Sequence, residues 1–302
     1  MKVAIAGSGP VAKYLIEELQ LANHDIVILT RNFKANQNHP QRQTDYTIAS
    51  LVTALADRDA LISTVSVYDN PAAQIQAHLD MLEACRQSKT CKTYIPSEWT
   101  LDAENYPEQP IYFAEANKMV HQALKSQNEV KWTIICNSWF TEYVLASNQR
   151  CLRDVDSIWP MDYASKTFTI YGPGTQLATF TSVRDVARAV AILLDTDVPW
   201  DNYIHLAGET LTWNELFAKV KKFNPEYTSR TKSMAESLAM VTDNESPEKV
   251  LAGHFELQSY SGALVQPWER VEEQRRKYFP DLHFRTVEEV MREGLERPDS
   301  VI

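Results

Sequence analysis

Glycine is scarce in this chain, with 8 in 302 residues, under half the usual share of about 7 %. That scarcity excludes collagen-like and glycine-rich architectures, and it makes the position of each glycine informative. Cysteine is sparse too. Cys85, Cys91, Cys136 and Cys151 form no C-x-x-C pair and have no histidines at zinc-ligand spacing, so no metal site is expected. A chain this long buries roughly three quarters of its surface without disulfides, and a reducing compartment, the cytoplasm, is the expected location. Long apolar runs are missing: Val3 to Ala6 is too short for a signal-peptide core, and nowhere do about eighteen apolar residues follow one another. No membrane association is expected. Positive charge is also in deficit, because 30 Lys and Arg against 40 Asp and Glu leave a net charge of −10. The densest basic cluster, Arg275-Arg276-Lys277, follows Glu272 and Glu273 and reads as a solvated helix face, so nucleic acid is not an expected partner.

What is present is a rhythm. Lys2 to Ala6 is a short apolar run ending at glycine, and Val11, Leu15, Ile16 and Leu19 then recur at helical spacing. Asp25 to Thr30 is a second continuous apolar strand, Ser50 to Ala56 a short helix, and Ala60 to Val65 a further strand. Pro71 opens a helix with Ile75, Leu79 and Leu82 on one face. Thr93 to Pro96, a helix over Tyr112 to Leu124 with Ala116, Met119, Val120 and Ala123 inward, and Trp132 to Cys136 follow. Continuous rather than alternating strands separated by helices predict a parallel sheet covered on both faces, hence an α/β, Rossmann-type doubly wound fold. Beyond Asn137 the spacing loosens. Ser182-x-x-Asp185 and Thr212-x-x-Glu215 read as helix capping boxes, Asn202 to Leu206 as a strand, and residues 226–262 as a polar, irregular, substrate-side lobe.

Two of the eight glycines sit where the first strand meets the first helix. Gly7-Ser8-Gly9-Pro10-Val11-Ala12 matches G-x-G-x-x-G/A in the context that gives the motif meaning. The first glycine makes the turn, the second lets a pyrophosphate approach bare backbone, and a small third residue lets helix and strand pack closely. The same six residues could also form an ordinary turn between two elements. At the end of the second strand stand Thr30-Arg31-Asn32, with Lys34 beyond. An acidic residue there would favour NAD, and an arginine accommodates the 2′-phosphate of NADP, so NADP(H) is the expected cofactor. Residues 1–150 are therefore expected to form the dinucleotide-binding core. Residues 151–302 are expected to add late core elements over about 165–210 and a substrate lobe over about 211–302.

With these motifs in place, the chain resembles the atypical short-chain dehydrogenase/reductases of the isoflavone-reductase-like, NmrA-like group. The resemblance is carried by the glycine turn with Arg31, by Leu61-Ile62-Ser63-Thr64-Val65, by Tyr94-Ile95-Pro96-Ser97-Glu98-Trp99, by Ala114-x-x-x-Lys118, and by Phe180 to Ala187. It departs from the group at Ala6 and Ala12, which replace the outer glycines of G-x-x-G-x-x-G. Ala114 stands where typical short-chain enzymes have the tyrosine of Y-x-x-x-K, as in the isoflavone-reductase branch. The resemblance implies that Ser63, Thr64, Val65, Pro96, Ser97 and Glu98 border the cofactor and that Lys118 is catalytic. Burial of an amine beside a ribose disfavours its ammonium form, which suits a lysine to proton transfer. Spacing alone allows Lys118 to be a surface partner of Glu115, and His121 is expected to pack or face solvent. Trp99, Tyr112, Asn137, Trp139, Phe140 and Tyr143 are candidate substrate-pocket residues near the carboxyl edge of the sheet. Tyr171 to Thr175 reads as a turn. The expected activity is NADPH-dependent reduction of a conjugated or carbonyl carbon in a small aromatic, phenolic or polyketide-like molecule. A dinucleotide-sensing regulator that binds a protein partner, and a biosynthetic isomerase or cyclase, are the alternatives the same residues allow.

Overall fold

The structure, a computed structural model, describes residues 1–33, 39–67, 70–155, 158–243 and 246–302. Six parallel strands, β1 (Lys2–Ala6), β2 (Asp25–Thr30), β3 (Gln41–Gln43), β4 (Ala60–Ser63), β5 (Thr93–Ile95) and β6 (Lys131–Trp132), form one sheet in the order 3-2-1-4-5-6. Helices α1 (Pro10–Leu21), α2 (Ile48–Ala54), α3 (Pro71–Gln87) and α4 (Ala114–Lys125) make the crossovers. The apolar runs are continuous because both faces are covered. Ala4 and Ala6 of β1 pack with Val27, Leu29 and Leu61 on one side, while Val3 and Ile5 pack with Ile26, Ile28 and Ile62 on the other. Strand order reverses between β1 and β4, with Ala6 level with Leu29 on one side and Ser63 on the other. A doubly wound sheet binds ligands at that switch point.

The second half of the chain builds onto this core. β7 (Ile134–Cys136), separated from β6 by Thr133, pairs in parallel with the later strand Tyr203–His205, which is β12 in chain order. A three-stranded sheet joins β8 (Trp139–Phe140), β11 (Leu177–Thr181) and β13 (Glu209–Thr212). Another joins β9 (Met161–Asp162), β10 (Thr167–Tyr171) and β14 (Thr228–Lys232). Helices α5 (Val183–Asp195), α6 (Trp213–Phe223), α7 (Met234–Val241), α8 (Pro247–Ser261), α9 (Trp268–Tyr278) and α10 (Val287–Glu296) complete the chain. Among the described residues no helix is long and apolar enough to cross a membrane.

Three local expectations are corrected, and one strand was not foreseen. Gln41–Gln43 is a strand although polar throughout, because it lies at the sheet edge with Arg42 paired to Asp57. Residues 226–262 are not irregular, since they hold β14, α7 and α8. Their periodicity is weak because the buried positions of α8 include Gly253, Glu256, Gln258 and Ser259, and Glu256 is held by Lys232 at 2.6 Å and Ser237 at 2.7 Å. Met119 points outward at 43 % exposure while Ala116 and Val120 are buried. Thr212 and Glu215 form a full capping box. Ser182 and Asp185 make only half of one, since Ser182 Oγ accepts from the Asp185 N–H and the Asp185 carboxylate is drawn to Arg285 instead.

Candidate active site

The turn from β1 to α1 is closed on one side and open on the other. Gly7 has φ +98°, and a Cβ there would lie 2.7 Å from Thr64 Oγ1. Its N–H donates to Leu29 O at 3.2 Å, and Thr64 is fixed by bonds from its N–H and Oγ1 to Ala6 O. Gly9 caps α1 with φ −76°, which any residue could adopt, so conformation does not require glycine here. Space does distinguish it: nothing lies within 4 Å of where its Cβ would be. No side chain of Gly9 covers the helix start, Pro10 brings no N–H, and the first turn faces this open space. Ala6 and Ala12 are fully buried, so the two places where the family carries its outer glycines serve packing.

Around the turn, the strand ends bring further residues to one rim. Arg31 is exposed after β2, its guanidinium 5.6 Å from the Tyr46 ring centroid. Tyr46 was not foreseen: its hydroxyl donates to Leu29 O at 2.9 Å, and burial pushes its phenol up to about 12, so it stays a neutral donor. Asn32 is exposed, with its carbonyl accepting from Thr30 Oγ1; Lys34 lies outside the described residues. After β4, Val65 N–H donates to Ser63 Oγ. After β5, Pro96, Ser97, Glu98 and Trp99 form a turn in which the Trp99 indole N–H donates to Ser63 O at 3.2 Å. The Glu98 carboxylate meets His121 Nε2 at 2.7 Å, and both side chains are nearly enclosed. His121 therefore packs, as expected, but with a partner that spacing could not reveal. Lys118, one turn earlier on α4, is exposed, as is Glu115, and no ion pair joins them among the described residues.

The six substrate candidates do not form one set. Asn137 and Phe140 are buried. Asn137 O accepts from Thr181 Oγ1, its N–H donates to Thr100 O, and its Oδ1 is buried without a partner. Phe140 packs in the core beneath the sheet. Trp139 and Tyr143 cluster with Trp159, the two indole rings 5.1 Å apart. Tyr112 stands elsewhere, in a 3-10 turn before α4, its ring 6.0 Å from His254 of α8. Burial lowers the His254 pKa, so its ring is neutral. A surface recess of about 400 Å³ lined by Leu79, Glu83, Arg86 and Glu129 lies at the carboxyl ends of α3 and α4, the far end of the sheet from this rim. Among the described residues no group of three or more His, Cys, Asp or Glu is placed to hold a metal ion.

A doubly wound parallel sheet with a glycine-lined, open helix start at its switch point defines the class, an α/β protein of the nucleotide-binding type. Within that class the chain belongs to the NmrA-like family, whose sequence pattern matches residues 2–289. It is 34 % identical to the oxidoreductase swnR of Arthroderma benhamiae, over the full length of both chains. It is 24 % identical to a bifunctional pinoresinol-lariciresinol reductase of Forsythia intermedia, covering 95 % of this chain and 96 % of that one. The leucoanthocyanidin reductase–NADPH complex from Vitis vinifera shares the fold, with a TM-score of 0.77 over 98 % of this chain and 100 % of that one at 22 % identity. The protein stands among the oxidoreductases of its family.

Proposed function

We propose that this protein is an NADPH-dependent reductase that delivers hydride to a conjugated or carbonyl carbon of a small aromatic, phenolic or polyketide-like substrate. The observation that carries the reading is the open space over Gly9 at the start of α1, with Arg31 exposed after the neighbouring strand β2. A pyrophosphate requires bare backbone at a helix N-terminus, and the residues present fit one. Gly7, Ser8, Gly9, Pro10 and Val11 would hold the pyrophosphate and Arg31 the 2′-phosphate, with Asn32 beside it. Ser63, Thr64, Val65, Pro96 and Ser97 would border the nicotinamide half. Bound there, NADPH supplies the hydride. Lys118 would hold the nicotinamide ribose and would give a proton to the substrate oxygen that gains charge. The second-half lobe would supply the substrate pocket and exclude water from it, with Trp99 and the Trp139–Tyr143 cluster the candidates to line it. The names of the pinoresinol-lariciresinol and leucoanthocyanidin reductases support a phenolic substrate class.

NADPH oxidation followed over a panel of phenolic and enone compounds, for wild type and Lys118→Ala, tests this. Turnover that depends on Lys118 is expected. Saturable NADPH binding with no turnover on any compound would favour a dinucleotide-sensing regulator instead.

A further inference from the structure

We propose that His121 is a positioning residue: through the Glu98 carboxylate it fixes the turn after β5 against α4, and so sets the helix that carries Lys118 relative to the cofactor groove. The proposal rests on the reading of that groove as the NADPH site. His121 Nε2 and Glu98 Oε2 are 2.7 Å apart, with the two side chains 5 % and 10 % exposed. A carboxylate this enclosed is costly unless paired, so the contact constrains both elements. The carboxylate accepts only, which assigns the proton to Nε2. In the neutral ring Nδ1 then accepts, and the Tyr203 hydroxyl, 3.4 Å away on β12, donates to it. Burial raises the Tyr203 phenol, so it keeps that proton. Tyr203, His121 and Glu98 thus form a directed series that fixes the ring plane.

The series continues toward the phosphate turn. Trp99, next to Glu98, donates its indole N–H to Ser63 O, and Thr64, next to Ser63, occupies the space beside Gly7. His121 therefore lies at one end of a chain of contacts whose other end is the β1–α1 turn, while Lys118 lies one turn away on the same helix. Nothing in this arrangement brings Glu98 into the groove, because its carboxylate faces α4. Glu98 acts on the cofactor through the turn rather than by direct contact.

The test is NADPH titration, followed by nicotinamide fluorescence, of full-length wild type, His121→Leu, His121→Gln, Glu98→Ala and the His121→Leu/Glu98→Ala double variant. His121→Leu keeps volume but removes the N–H and should weaken NADPH about tenfold, whereas His121→Gln presents an amide N–H to the carboxylate and should stay within about threefold of wild type. The double variant should bind about as well as the weaker single one, because the two residues act as one unit. Binding by His121→Leu within about twofold of wild type, failure of glutamine to rescue, or additive losses would overturn the proposal. If His121→Leu does not fold, Glu98→Ala and His121→Gln carry the same comparison: about tenfold loss in the first and near-normal binding in the second are expected, and the reverse overturns it. Wild type that fails to bind NADPH would instead strike at the proposed function itself.

Discussion

The methyl group that Gly7 lacks would stand 2.7 Å from the Thr64 hydroxyl, so the β1–α1 turn and the end of β4 close on each other with no room for a side chain. Gly9, two residues on, has open space above it. The two glycines should therefore respond differently. Gly7→Ala must adopt φ +98° and displace Thr64, and should lose roughly 1–3 kcal/mol in denaturant unfolding. Gly9→Ala should unfold at the wild-type midpoint yet bind NADPH about tenfold more weakly, because its methyl enters the space a pyrophosphate needs. Unchanged NADPH affinity in Gly9→Ala would remove this turn from the site.

Lys118 is exposed, and among the described residues no ion pair or side-chain hydrogen bond holds it. Lys118→Ala should keep the wild-type melting temperature while turnover at saturating NADPH falls roughly hundred- to ten-thousand-fold, the range for loss of a general acid or base. Equal turnover would take Lys118 out of the mechanism.

His78 offers a pH test independent of any substrate. The Gln74 Oε1 accepts from Val67 N–H, so its amide nitrogen donates to His78 Nε2, and His78 Nδ1 donates to Tyr94. Burial pushes the His78 imidazole down from 6.5 to about 4. A depressed pKa in the folded state contributes stability that is present above the unfolded value and lost as pH falls through the folded one. The gap is worth roughly 3 kcal/mol, lost between about pH 6.5 and 4. In an NMR titration His78 should remain neutral down to about pH 5, and a transition near 6.5 would contradict the structure.

Arg285 sits between two fully buried carboxylates, 3.1 Å from Asp185 Oδ1 and 3.9 Å from Glu142 Oε1. Arg285→Leu removes the cation the two share, leaving Glu142 unpaired and Asp185 with only Arg188 at 3.2 Å, and should cost roughly 3–5 kcal/mol at neutral pH. Burial already raises the Glu142 pKa, and a raised folded pKa contributes stability at low pH that is lost as pH rises. The deficit of the variant should accordingly shrink on acidification toward the carboxylate range. A deficit that grows instead would show that Arg285 does not compensate these groups.

The first half of the fold was legible because buried parallel strands are written as unbroken apolar runs, and the glycine turn because strand, motif and helix follow directly in the chain. Gln41–Gln43 was not, since an edge strand can be wholly polar. The buried pairs were not either. Glu98 and His121 are 23 residues apart and Asp185 and Arg285 are 100 apart, separations at which no local periodicity reports contact. The aromatic candidates were named from nearness to strand ends, but spacing along the chain does not say which side a residue takes. Tyr112 turns toward α8 while Phe140 turns into the core.

The most direct test of the account is a side-by-side titration of the wild-type protein with NADPH and NADH, repeated for Arg31→Ala. Arg31 is exposed beside Tyr46, and a charge-assisted contact from it to a 2′-phosphate is worth roughly 1.5–3 kcal/mol, about ten- to a hundredfold in affinity. Saturable NADPH binding at least about tenfold tighter than NADH, with the preference lost in Arg31→Ala, is the predicted result. NADH binding as tightly as NADPH, or no saturable binding of either, would contradict it.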